Sequence, residues 1–106
     1  MNPEKIMKSV ELEREFKIVA DDIDAILSTT EAYTACLEML YDIKEKNEDF
    51  IADMQMKQAD LLKLINKLND IAMQAMAINE QDLVYRIEFV KADVKNMMER
   101  VRNLYM

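Results

Sequence analysis

Histidine is absent from all 106 residues, and that absence removes more chemistry than any motif in the chain supplies. No Ser-His-Asp or Cys-His nucleophile can be assembled without it, no imidazole can ligate a metal, and the Glu-x-x-His pairs of di-iron bundles cannot be built. Cys36 is the only thiol and has no intramolecular disulfide partner. It shares a helical face with Tyr33, Leu37 and Leu40. An apolar setting raises a thiol pKa and leaves it inert, so Cys36 reads as structural.

Carboxylates are the remaining reactive groups, and what they support in an all-helical chain is Mg²⁺-dependent phosphate chemistry. Glu45-Lys46-Asn47-Glu48 has the Glu-x-x-Glu spacing that places two carboxylates on one helix face, as in the all-α nucleotide pyrophosphohydrolases. Those enzymes need a second pair on a facing helix. The required Glu-x-x-Asp pair is missing: Asp21-Asp22-Ile23-Asp24 is the nearest candidate, and no phosphate-binding loop accompanies it. With 21 acidic residues one such match arises easily by chance, so a Mg²⁺-dependent nucleotide hydrolase is the weakest of three readings. No catalytic residue, metal or cofactor is expected.

Methionine is the other anomaly, at 10 of 106 residues. Its unbranched thioether repacks around varied partners, and it fills irregular core gaps equally well. Between Leu68 and Ile78 only Asn69, Asp70 and Gln74 are polar, so apolar side chains cover most of the helix circumference. A helix apolar nearly all round must be covered on more than one side. Met73, Met76 and Ile78, with Met97 and Met98 further on, are therefore the candidate partner-binding residues; packing within the chain's own core is the competing account.

The elements that must position these residues are helices throughout. The chain has no glycine, which all but excludes the turns, bulges and phosphate loops of β-rich, Rossmann or P-loop proteins. Asn2-Pro3 reads as an N-cap with proline at the first helical position. Leu12, Phe16, Val19, Ile23 and Ile26 then follow in steps of 4 and 3, with Ile6 and Val10 extending the stripe, which predicts a helix over 3–27. Ser28-Thr29-Thr30-Glu31 fits a capping box opening a second helix over 30–45, its buried stripe formed by Tyr33, Leu37 and Leu40 with Cys36 and Ile43.

Six polar residues from Lys44 to Asp49 interrupt the stripe and predict a turn, a continuous exposed helix being the alternative. A third helix over 49–78 carries Ile51, Met54, Gln58, Leu61, Ile65, Leu68, Ala72 and Ala75, and Asn79 reads as the cap of the next. The fourth, over 81–105, has Leu83, Ile87, Val90, Val94, Met97, Val101 and Leu104 in unbroken 4,3 steps, the signature of knobs-into-holes packing. Acid-before-base pairs at i,i+4, such as Asp53/Lys57 and Asp82/Arg86, add support. The expected fold is one all-α domain over 1–106, a small up-down bundle of four helices with coiled-coil-like packing; the alternative is three helices with one long central rod.

Net charge is −7, and it lies entirely in residues 1–49. Such a field repels phosphates, so direct nucleic-acid binding and adhesion to an anionic membrane are not expected. No stretch approaches the roughly 18 apolar residues of a membrane span. Met1-Asn2-Pro3-Glu4 has no secretory character, so the expected compartment is the cytoplasm. Together these point to a non-enzymatic protein-binding module, a small adaptor, chaperone or assembly factor that engages a protein partner or itself, with a homodimer as the default. An acidic inhibitor that mimics nucleic acid and binds a basic protein is the second reading.

Overall fold

A computed structural model describes residues 3–39 and 48–105 of the chain. Three helices account for nearly all of them: α1 (Pro3–Glu38), α2 (Glu48–Ala77) and α3 (Gln81–Tyr105). They form a rod of 61 × 18 × 18 Å, close to the roughly 54 Å that 36 residues of α1 span at 1.5 Å each. Ser9 meets Glu80, Glu13 meets Arg86 and Glu31 meets Arg100, so α1 and α3 run parallel. α2 runs against both.

The all-α class is as expected, and among the described residues the helix count is three, not four. The expected break at Ser28–Thr30 is a continuous part of α1. Its reason is local: Thr29 Oγ1 donates to the Ala25 carbonyl at 3.0 Å and Thr30 Oγ1 to that of Ile26 at 2.8 Å. Hydroxyls used on the preceding turn of their own helix do not cap a new one. Thr30 and Thr34 are both buried, extending the inward stripe of α1, while Tyr33 is exposed. The buried face here is thus shifted by one residue from the Tyr33/Leu37/Leu40 stripe expected. The Cys36 and Leu37 side chains, Leu40, Ile43 and the expected turn at 44–47 lie outside the described residues. The long helix is also the first one and not a central rod.

The core draws on all three helices: Leu12, Phe16, Val19 and Ile23 from α1, Leu61, Leu68, Ile71, Ala72 and Ala75 from α2, and Leu83, Ile87 and Val94 from α3. Full burial of each large aliphatic side chain contributes about 1.5–3 kcal/mol, which is what holds so elongated a body together. Ile6 and Val10 are exposed, against expectation. Val10 stands two residues before Leu12, about 200° round the helix, and Ser9 is already level with the turn between α2 and α3, so the first residues of α1 run past it.

That turn is made without glycine. Asn79 takes φ 61°, a left-handed conformation that asparagine tolerates better than most residues. The Glu80 N–H donates to the Ala75 carbonyl at 2.8 Å and the Asn79 N–H to that of Met76 at 3.1 Å, the two bonds of a Schellman C-cap. Asn79 therefore closes α2 and does not cap α3, as its spacing to Asp82 had suggested. Glu80 opens α3 by accepting from the Val84 N–H at 3.2 Å.

Candidate functional site

Two arginines on α3 fasten α1 alongside it. Arg86 donates through Nη1 to Glu13 Oε2 at 3.0 Å and through Nε to Asp82 at 3.1 Å, with its guanidinium 5.4 Å from the Phe16 ring centroid. Its pKa is raised, chiefly by the Glu13 hydrogen bond. Arg100 reaches Glu31 at 2.5 Å and grips both oxygens of Glu38, at 2.5 and 3.1 Å. The Arg100 hydrogen bonds hold the Glu38 carboxyl below the ordinary carboxylate value. These pairs fix helix register. They do not form a reaction centre: among the described residues no group of three or more Cys, Asp or Glu converges as a metal-ligand set. Glu45 and the Glu48 side chain lie outside those residues.

The candidate partner-binding residues separate into two groups. Met73 and Met76 are exposed, at 69% and 58%, so they do not serve the chain's own core. Ile78 is half-buried and packs against the core at the turn. Met98 packs against the core as well, and Met97 lines a groove between α1 and α3 with Leu27 and Arg100. Met97 lies 16 residues beyond Gln81, roughly 24 Å along the rod from the turn that Met76 and Ile78 adjoin. The single methionine-rich face that would join all five is not formed.

Met73 and Met76 belong instead to a stripe confined to α2. The inward seam of α2 runs Met54, Gln58, Leu61, Ile65, Leu68, Ala72, Ala75. One residue on from each, about 100° round the helix, stand Gln55, Ala59, Leu62, Asn66, Asn69, Met73 and Met76. All seven are exposed and none is charged. Four of the six charged residues of α2 from Asp53 onward, Asp53, Lys57, Asp60 and Lys67, stand one residue before a seam position on the other flank, and Lys63 and Asp70 stand two residues past one, on the outward face. Asp60, Lys63, Lys67 and Asp70 line the grooves that α2 makes with α1. Between Gln55 and Met76 this stripe of α2 therefore carries no charge.

Compared with protein-family models, curated proteins and solved structures, the chain has no match in any of the three. The surface must speak for itself. Leu62 is the stripe member that the sequence reading missed, 58% exposed near the middle of the helix. Its signal was present in the phase of the charged residues, which the apolar periodicity alone does not reveal. Two smaller apolar features were missed as well: Tyr85 and Phe89, four apart on the outer face of α3, and Ile6 with Met7 where α1 passes the turn. No helix among the described residues is long and apolar enough to cross a membrane.

Proposed function

We propose that the chain is a non-enzymatic protein-binding module, a small cytoplasmic adaptor, chaperone or assembly factor, which acts through the charge-free stripe of α2. The observation that carries this reading is the exposure of Leu62, Met73 and Met76 on a stripe that holds no charged residue between Gln55 and Met76. An uncharged stripe can be dehydrated without stranding an ion, and it presents anchors at the spacing by which helix faces are recognised. Methionine side chains adapt to the partner they meet. The absence of histidine supports the non-enzymatic part of the reading. The acidic-mimic alternative draws on the carboxylates of α1, yet Glu13, Glu31 and Glu38 are already engaged by arginines.

Capture on the immobilised chain tests the proposal. A partner retained by the parent and lost with Met73→Glu, then identified by mass spectrometry and rebuilt into a stoichiometric complex from purified components, is the expected result. Retention that ignores the substitution contradicts it.

A further inference from the structure

We propose that Met73 and Met76 form a site of reversible methionine oxidation, at which a hydroperoxide turns the methionine end of the α2 stripe polar without unfolding the bundle. The consequence for binding rests on the reading of that stripe as a contact surface; the oxidation site stands apart from it.

Exposure sorts the thioethers of the chain. Met73 and Met76 are 69% and 58% exposed, whereas Met54, on the inward seam of the same helix, is 2% exposed and Met98 packs against the core. Ten methionines stand beside one cysteine, with no histidine or tryptophan, so the capacity of this chain to take up oxygen from peroxides lies mainly in its thioethers. The step is a two-electron transfer. A sulfur lone pair attacks the terminal oxygen of the hydroperoxide, an S–O bond forms as the O–O bond breaks, and the proton moves to the departing oxygen, which leaves as an alcohol or as water. A methionine sulfoxide reductase supplied with a dithiol reverses it, releasing the oxygen as water while the two thiols become a disulfide.

Placement gives the chemistry its effect. Three residues apart, Met73 and Met76 are neighbours on one helix face, each one residue past a buried alanine of the seam, Ala72 and Ala75. Met7, Met39 and Met56 are exposed as well, but none belongs to the stripe that runs from Gln55 to Met76. Leu62, Met73 and Met76 are the large apolar members of that stripe, so oxidation changes two of its three anchors together. A sulfoxide is a polar acceptor, and stripping its water against an apolar partner carries a cost that the thioether does not. Neither side chain belongs to the buried cluster, so the core keeps its packing. The pair can therefore silence the stripe while the fold persists.

Dilute hydrogen peroxide applied to the full chain, followed by peptide mass spectrometry, tests the site. Met73 and Met76 should become sulfoxides at least about tenfold faster than Met54, with the circular dichroism spectrum unchanged at that stage. In a background of Met7→Leu, Met39→Leu and Met56→Leu, the treated chain should elute earlier from phenyl-agarose than the untreated one, and methionine sulfoxide reductases with dithiothreitol should restore its position. Adding Met73→Leu and Met76→Leu keeps the apolar bulk without the sulfur and should remove most of that shift. Oxidation of Met54 as fast as Met73 and Met76, loss of helix content in step with their oxidation, or an equal elution shift with and without the two sulfurs overturns the proposal. If these results hold and the unoxidised chain shows no Met73-dependent capture, the oxidation site stands and the binding reading falls. A partner captured in a Met73-dependent way and held equally well after oxidation overturns the silencing and leaves the binding reading in place.

Discussion

Arg86 on α3 lies between two residues of α1, its Nη1 3.0 Å from the Glu13 carboxylate and its guanidinium 5.4 Å from the Phe16 ring centroid. One side chain thus joins a fork-shaped ion pair to a cation–π contact at the edge of the core. Exposed pairs and cation–π contacts each contribute about 0.5–1 kcal/mol, so Arg86→Ala should lower stability by roughly 1 kcal/mol in urea unfolding. Arg86→Lys should recover only part of this, since an ammonium lacks the planar fork. Equal stability of all three proteins would show that the contact is ornamental.

The α3 seam admits a harsher test. Val94 is 7% exposed in the middle of it, and a carboxylate placed there costs several kcal/mol, comparable with the whole stability of a domain this size. Val94→Asp should abolish the cooperative thermal transition followed by circular dichroism.

Thr30 and Thr34 make a matched pair. Both are buried, but Thr30 donates to the Ile26 carbonyl, whereas Thr34 Oγ1 has no hydrogen-bond partner among the described residues. Removing an unsatisfied buried hydroxyl is favourable. Thr34→Val should therefore stabilise the protein by about 1 kcal/mol, and Thr30→Val should be neutral or destabilising. The opposite order of midpoints would contradict the assignment.

Glu38 supplies the pH dependence. Its folded pKa lies below the ordinary 4.5, through the hydrogen bonds and charge of Arg100, so the pair's stabilisation is complete above that value and fades as pH falls through the lowered one. The melting temperatures of the parent and Glu38→Gln should differ at neutral pH and converge as pH falls below the ordinary 4.5, with a gap that narrows in high salt.

These relationships explain which parts of the fold were legible from residue order. The seams of α2 and α3 were, because Leu61 to Ala75 and Leu83 to Val101 are apolar at the very positions that helical phase requires. The break at Ser28–Thr30 was misread because a run of hydroxyl residues fits either a cap of a new helix or bonds back to the preceding turn, and Thr29 and Thr30 make the second. Asn79 has the same ambiguity, resolved by its positive φ. The exposure of Ile6 follows from the register of α1 against the turn, a non-local relation that no local pattern encodes. At the candidate site, Met73 and Met76 were legible as surplus apolar residues. Their distance from Met97 and their continuity with Leu62 depend on how the helices are stacked.

The central claim is that the charge-free stripe of α2 is a surface for protein contact and not part of the chain's own core. Met73→Glu combined with Met76→Lys, followed by circular dichroism and light scattering on the same sample, tests it most directly. Because both side chains are exposed, the account predicts unchanged helix content and a melting temperature within a few degrees of the parent, with association lost. Unfolding of the double variant, or association that persists at the parent's level, would contradict it.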